Sequence, residues 1–321
     1  MGDLGQTDVL QKASQEADIV INTAPDITHA EAIVAVLGGI KTHGGNGDGN
    51  RYYIHTSGAS LIWDEPEGRG NARWWDDIDD IATISALEEK HTHAVTDQIV
   101  REAAPDVNVA IISPGFVGGI SPSIEHQLPI TTPALINTAR AFDSGFKIAK
   151  GDNCHAWIHV QDLADMYLIL VNDAWTALGG QRPPPSPSRL DSDLPLWGPE
   201  AYYFASGEDI RFADFMDGLV PVLKQHGIIR TDAGIDSVNV TVAARKSLAG
   251  PGGEYDALAP PPPPDSWAMH IAVMYGVNMR LRPSRIERLG WKAKMGSIVG
   301  TLPAVVAEFL QQEAKEKAQI A

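Results

Sequence analysis

The sequence predicts an α/β fold with a mainly parallel sheet. Short runs rich in β-branched and aromatic residues alternate with amphipathic helical segments through the first half of the chain, which is the pattern of successive βαβ units. Several of these runs are almost continuously apolar, as in strands that are covered on both faces. With 321 residues, 44% of them hydrophobic, the chain is long enough to bury a sizeable core.

The first predicted elements are a helix, a strand and a second helix. Thr7 is placed to cap the first helix, and the apolar run DIVINTA at 18–24 follows as a buried strand. Thr28 and Glu31 have the spacing of a capping box at the start of the second helix. That helix presents a lengthwise apolar face toward the sheet, formed by Ile33, Val34, Leu37 and Ile40.

Two more buried strands follow in the first half. A glycine-rich loop at 43–50 leads into the strand RYYIHTSG at 51–58. A helix through 95–103 then precedes the strand VNVAIIS at 107–113. The order of helix, strand and loop therefore repeats without a fixed sequence period.

The second half contains a long helix, one more strand and two proline-rich stretches. Asp162 is placed to cap a helix with apolar residues on one face, and the run at 202–205 reads as a final strand. Residues 182–189 and 260–265 contain too many prolines for a ladder or a helix interior. We expect both stretches to be surface loops or stiff linkers.

Charge and cysteine content indicate which ligands and which cellular compartment are expected for this protein. The 41 acidic residues exceed the 25 basic ones and give a formal charge of -16, which disfavours nucleic acid and anionic membrane surfaces. No stretch approaches the length of a membrane span, and the start of the chain lacks the features of a signal peptide. Cys154 is the only cysteine, which is typical of a reducing compartment. The sequence therefore predicts a cytoplasmic protein.

Seven segments, in this order, resemble the extended and atypical short-chain dehydrogenases, the NAD-dependent epimerase/dehydratase-like proteins. They are GDLGQTDVL, ADIVINTAPDITHAEAI, RYYIHTSGAS, AIISPGFVGG, HAWIHVQDLADMYLIL, AYYFASGE and RPSRIERLGWKAK. The resemblance implies a Rossmann-like, doubly wound, mainly parallel sheet in 1–120, with a return strand near 200–206. It also implies a smaller, mainly substrate-binding lobe in 121–321.

The resemblance also implies residues that bind the cofactor, NAD or NADP. Asp3 and Leu4 match the family's acidic and hydrophobic pair that contacts adenine. The ends of the next three strands match the segments along which the dinucleotide lies, because open α/β sheets bind ligands at the carboxyl ends of their strands. The residues concerned are Asn22, Thr23, Ala24, Thr56, Pro114, Gly115 and Phe116. Ordinary strand-end turns are the alternative interpretation of these residues.

The sequence departs from the family at the phosphate-binding turn. A Gly-x-Gly-x-x-Gly turn normally places helix amides against the pyrophosphate, and the sequence contains none. If Asp3 matches the third strand, an N-terminal βαβ unit of about 50 to 60 residues is missing. The strand at 18–24 would then expose an edge that invites association, so a homodimer is possible.

The catalytic Tyr-x-x-x-Lys pair of the family is absent as well. Counting back from 100–103 puts Glu89 and His93 at the two positions, within a helix that reads EKHTHAVTD. His93 is a candidate acid or base, with an exposed helix histidine as the alternative. The family's serine or threonine has three candidates, Thr56, Ser57 and Ser60. We take Ser57 and His93 as the candidate catalytic residues.

These observations leave three hypotheses for function. The first is an NAD(P)-dependent oxidoreductase or an epimerase/dehydratase-like enzyme that acts on a small molecule. The second is a non-catalytic binding or regulatory module of the same fold, and the third is a truncated, inactive fragment. Two histidine pairs, His91 with His93 and His155 with His159, lack nearby carboxylates or cysteines at ligand spacing, so no metal site is predicted.

Overall fold

The computed structural model describes residues 3–23, 29–42, 50–181, 194–249 and 260–320. Its helices are α1 (Thr7–Gln15), α2 (Ala30–Lys41), α3 (Ile81–Ser85), α4 (Ala94–Glu102), α5 (Thr131–Phe142), α6 (Val160–Ala177), α7 (Phe212–Gln225), α8 (Val240–Ala249), α9 (Trp267–Met274), α10 (Ser284–Arg288) and α11 (Ile298–Ile320). Its strands are β1 (Ile19–Asn22), β2 (Tyr52–Thr56), β3 (Trp75–Asp76), β4 (Asn108–Pro114), β5 (Phe116–Gly118), β6 (Gly145–Ile148), β7 (Cys154–His159), β8 (Tyr202–Ala205), β9 (Glu208–Arg211), β10 (Ile235–Val238) and β11 (Leu281–Arg282).

The main sheet has four strands in the order β1-β2-β4-β8, and every neighbouring pair is parallel. Tyr52 is in register with Ile19 on one side and with Asn108 on the other, and Ile111 is in register with Tyr202. All four carboxyl ends therefore lie at one edge of the sheet. The predicted α/β class with a mainly parallel sheet is confirmed, and β8 has the predicted bounds.

Helices cover both faces of this sheet. Alternate residues of β2 point to opposite sides, so that Tyr53 joins a core with α2 and α4, and Ile54 joins a core with α6. Each core contains fully buried helical residues, such as Val100 on the first side and Leu170 on the second. The fold is thus doubly wound, as the resemblance implied.

Strand β1 lies at one edge of the sheet. Among the described residues it pairs only with β2, and the side chain of Ile21 is 44% exposed. An end strand of this kind offers an edge on which another strand could pair. The predicted exposed edge is therefore present in the described part of the chain.

The predicted caps of the first two helices need correction. Thr7 is the first residue of α1, whose N-cap is Gln6, and no side chain makes the capping hydrogen bond there. Thr28 lies outside the described residues. The N-cap of α2 is His29, again without a capping hydrogen bond from its side chain.

The prediction that Asp162 caps α6 is wrong. The cap is His159, whose Nδ1 accepts a 3.2 Å hydrogen bond from the backbone N–H of Gln161. Asp162 lies within the first turn and is 2% exposed. Its carboxylate instead accepts hydrogen bonds from the backbone N–H groups of Lys294 and Met295, at 2.9 and 3.1 Å. Asp162 therefore binds a distant segment of the chain and does not cap its own helix.

The other strands of the described residues form three smaller sheets. The pairs β3 with β11 and β6 with β10 are parallel, and β5-β7-β9 is a mixed sheet. Residues 260–265 form an irregular segment before α9, as predicted, whereas 182–189 and most of the 43–50 loop lie outside the described residues. Within the described ranges, no helix has both the length and the apolarity to cross a bilayer.

Candidate functional site

A cleft of 480 Å³ opens at the carboxyl edge of the main sheet. The ends of β1, β2 and β4 contribute Thr23, Thr56, Ser57 and Pro114 to its lining. Three neighbouring strand ends of a parallel sheet therefore meet at one crevice, which is where open α/β folds bind ligands. The remaining lining residues come from 58–63, from His93 before α4, from Gly115 and β5, from 128–131, from α6, from α9 and from Met279.

Other residues predicted to contact the cofactor do not line this cleft. Asn22 lies one residue before Thr23, and its Nδ2 donates a 3.1 Å hydrogen bond to the hydroxyl of Tyr53. Asp3 is exposed and Leu4 is half-buried at the start of α1, where Asp3 Oδ1 accepts a 2.9 Å hydrogen bond from a nearby backbone N–H. Ala24 lies outside the described residues. The cofactor roles of these residues stay predictions.

Ser57 is tied to a buried carboxylate. Its hydroxyl donates a 2.8 Å hydrogen bond to Oδ2 of Asp97, which also accepts a 3.0 Å bond from the hydroxyl of Tyr202. Burial raises the pKa of Asp97 to about 7, although the bonds from Ser57 and Tyr202 favour the charged form. Near neutral pH this carboxyl group therefore exists in both protonation states, directly behind a hydroxyl group that lines the cleft.

His55 continues this polar chain behind the cleft. Its Nε2 lies 3.7 Å from Oδ1 of Asp97, and its Nδ1 lies 3.2 Å from the hydroxyl of Tyr53. Burial lowers the pKa of His55 to about 3, and the charge of His93 acts in the same direction. His55 is therefore neutral. It lies beside Asp97 without a hydrogen bond between the two side chains.

His93 lines the cleft, but its local structure differs from the prediction. It precedes α4 in the left-handed conformation with φ of 70°, so the predicted helix over EKHTHAVTD begins only at Ala94. Glu89 lies in an exposed turn and does not line the cleft. The alternative interpretation of His93 as an exposed helix residue is also wrong, because the ring packs against Gly58.

The protonation state of His93 limits its role. Burial lowers its pKa to about 4, and the nearby His270 contributes. A neutral imidazole is the dominant form near pH 7, and it cannot supply the positive charge with which lysine activates a tyrosine. His93 is therefore suited to hydrogen bonding in the cleft.

A tyrosine on α6 reaches the cleft. The hydroxyl of Tyr167 on α6 lies 2.5 Å from Oγ1 of Thr56. Burial raises the pKa of Tyr167 to about 12, so its phenol stays protonated and can donate a hydrogen bond. Tyr167 belongs to the helix for which the sequence predicted one apolar face, and nothing in that pattern singled out its hydroxyl group.

Sequence reasoning missed Asp97. A signal was present, since Asp97 shares the inward face of α4 with Thr96 and Val100, and a carboxylate on an apolar face is unusual. Its partner Tyr202 is 105 positions away, so the spacing along the chain gave no indication of the contact. Among the residues described, no three histidine, cysteine or carboxylate side chains come together as a metal site.

Neither a family model nor a curated protein sequence matches this chain. Solved structures do. A dTDP-glucose 4,6-dehydratase from Streptomyces venezuelae, solved with NAD, matches with a TM-score of 0.56 and 13% identity over 95% of this chain and 77% of that one. A UDP-glucose 4-epimerase from Thermotoga maritima matches with a TM-score of 0.54 and 10% identity over 98% of this chain and 84% of that one.

The chain has the fold of the extended short-chain dehydrogenases. A UDP-glucuronic acid 4-epimerase from Bacillus cereus, also solved with NAD, matches with a TM-score of 0.55 and 12% identity over 97% of this chain and 81% of that one. At such identities the likeness concerns the fold, and the site must be argued from its own residues. The Rossmann-like fold that the resemblance implied is confirmed.

Proposed function

We propose that the cleft binds a nicotinamide dinucleotide, NAD or NADP, and a small molecule with a carbonyl or alcohol group. The protein would then be an oxidoreductase or an epimerase/dehydratase-like enzyme. The observation that carries this proposal is the convergence of three parallel strand ends, at Thr23, Ser57 and Pro114, on one cleft. Two solved structures of the same fold contain NAD, which supports this choice of ligand.

The cleft residues fit the nicotinamide end of such a cofactor. Pro114 and Phe116 line the cleft, and the aromatic ring of Phe116 adds an apolar surface for a flat ring. Thr23 is exposed at the end of β1, so the charged pyrophosphate can remain near solvent beyond this residue. Small polar side chains at 23 and 56 leave room along the strand ends.

The chemistry assigned to this chain is acid–base chemistry. The cofactor, when bound, supplies or accepts a hydride. Reduction of a carbonyl group also needs one proton on its oxygen, and Ser57 Oγ can donate it while the protonated carboxyl of Asp97 passes its own proton to Ser57. Oxidation of an alcohol would run the same proton path in reverse. Ser57 is thus the catalytic residue and Asp97 a positioning residue that also stores the proton.

A non-catalytic binding module is the second candidate. No tyrosine in the sequence is followed four positions later by a lysine, and His93 is neutral. In this case the cleft would bind a ligand but would lack the positively charged lysine that activates the family's catalytic tyrosine. Binding without turnover is the result expected from this candidate.

Calorimetric titration with NADH and NADPH tests the proposal. We expect saturable binding of at least one of them and loss of binding in Thr23→Trp, because the indole would fill the rim of the cleft. Thr83→Trp is the matched control, since Thr83 is also exposed but lies on α3 outside the cleft. No heat of binding at millimolar cofactor, or equal affinity in Thr23→Trp, would refute it.

A further inference from the structure

We infer that the small molecule taken by this cleft is uncharged and apolar and carries a flat ring, such as an aromatic ketone or its alcohol. The inference rests on the proposed function and names its substrate class. It separates this chain from the solved relatives named above, whose reported substrates are nucleotide sugars. Three observations carry it.

The first observation is the absence of charge. Among the described residues that line the cleft, none is lysine, arginine, aspartate or glutamate. The sequence that follows Thr23, at 24–28, contains one aspartate and no basic residue, and the whole chain carries a formal charge of -16. A diphosphate inside the cleft would need cations or several amides to replace its hydration, whereas the cofactor's pyrophosphate is proposed to stay near solvent beyond Thr23. A nucleotide sugar is therefore a poor substrate here.

The second observation is an apolar wall formed by the segment before α5, by α9 and by Met279 beyond α9. Leu128, Ile130, Ile271, Met274 and Met279 all line the cleft. Ile130 is 72% exposed and Trp267 is 62% exposed, although both are large apolar side chains. Clustered exposed apolar groups at a cleft are typical of a binding surface for an apolar ligand, because ligand binding removes them from water.

The third observation is a series of three rings at the cleft. The rings of Trp63 and His270 have centroids 5.2 Å apart, and those of Trp267 and His270 are 5.7 Å apart with only 18° between their planes. All three residues line the cleft, and Trp267 still has a free surface. A flat ligand ring can therefore extend this stack.

Hydroxyl groups at the end of β2 can bind one oxygen atom on such a ligand. Ser57 and the pair formed by Thr56 and Tyr167 bring hydroxyl groups to the lining. A carbonyl oxygen could accept hydrogen bonds from these groups while the ring lies on the aromatic surface. A sugar would present several hydroxyl groups to an apolar wall that cannot pair with them.

Ligand-observed NMR with an uncharged naphthyl ketone and with UDP-glucose tests the inference. We expect saturable binding of the ketone, no displacement by UDP-glucose in excess, and affinity for the ketone reduced about fivefold in Trp267→Ala through loss of stacking. Trp175→Ala is the matched control, because Trp175 is 53% exposed on α6 and does not line the cleft. It should leave the affinity unchanged.

Several results would overturn the inference: no ketone binding, displacement of the ketone by UDP-glucose, or equal affinity in wild type and Trp267→Ala. The NADH titration separates this inference from the proposed function. Ketone binding with the expected Trp267 effect, but without NADH binding, would refute the proposed function and leave the apolar ligand class supported. NADH binding without ketone binding would refute the apolar ligand class and leave the proposed cofactor binding supported.

Discussion

Ser57 at the end of β2 donates its hydroxyl hydrogen to Oδ2 of Asp97 on α4, across 2.8 Å. The serine lines the cleft, whereas Asp97 is 4% exposed and lies behind it. A buried carboxyl group with a raised pKa at this position can both orient the hydroxyl and exchange a proton with it. The proposed acid–base chemistry of the cleft depends on this contact.

Ser57→Ala should abolish most of the turnover and leave cofactor binding intact. The change removes the group that exchanges a proton with the substrate oxygen, so we expect kcat to fall about a hundredfold or more. Ser60→Ala is the control, because Ser60 also lines the cleft but has no hydrogen bond to Asp97. Equal losses of kcat in the two variants would contradict the assignment of Ser57.

Asp97→Asn should change how stability depends on pH. The folded pKa of about 7 exceeds the 3.8 that is usual for an aspartate, so between these values the folded state holds a proton that the unfolded state has lost. Raising the pH from 4 to 7 therefore destabilises the wild type through this group, by up to about 4 kcal/mol.

Asparagine has no such proton, so the denaturant midpoint of Asp97→Asn should fall less over this pH range. Asp232→Asn serves as the control, since the Asp232 side chain is 83% exposed. If kcat can be measured, its pH profile should also lose the ionisation near 7 in Asp97→Asn. An unaltered pH dependence of both stability and kcat would show that Asp97 has an ordinary pKa.

Gly58→Ala should move His93. A Cβ atom at Gly58 would lie 2.6 Å from Nε2 of His93, so the ring must shift out of its packed position. We expect the pKa of His93, followed by NMR of its ring protons, to rise from about 4 toward its usual range as the ring gains water. Gly300→Ala, where added atoms meet only open space, should leave the titration unchanged.

The exposed edge of β1 should support a homodimer. We propose that a second copy pairs on this edge, because within the described ranges β1 is the end strand of the sheet and its Ile21 side chain is 44% exposed. Ile21→Lys should lower the dimer fraction measured by native mass spectrometry across a concentration series. Ile124→Lys, in a segment where Ile124 is 96% exposed, should not. A monomer at every concentration would contradict this prediction.

The sequence predicted the strands better than the helix ends. The strands at 51–58 and 107–113 were found within two residues at each end, because strands covered on both faces need continuous apolar runs. Asp162 was misread because its carboxylate is bound by amides at 294 and 295, far along the chain. Local pattern carries no information about such contacts.

Contacts between residues far apart in the sequence also explain which site residues could be predicted and which could not. Thr23, Ser57 and Pro114 follow apolar strands, so the rule for parallel sheets placed them at one edge. Asp97 acquires its raised pKa from burial beside Ser57 and Tyr202, and these three lie on different elements. The strained turn at His93 likewise depends on packing against Gly58, which the helical spacing of EKHTHAVTD concealed.

The position of a bound cofactor tests the central claim most directly. A crystal structure of the protein with NADH should show the nicotinamide ring in the cleft beside Pro114 and Phe116, within hydrogen-bonding reach of the hydroxyl groups at Thr56 or Ser57. Density for the nicotinamide away from the ends of β1, β2 and β4, or an empty cleft under saturating NADH, would contradict the account.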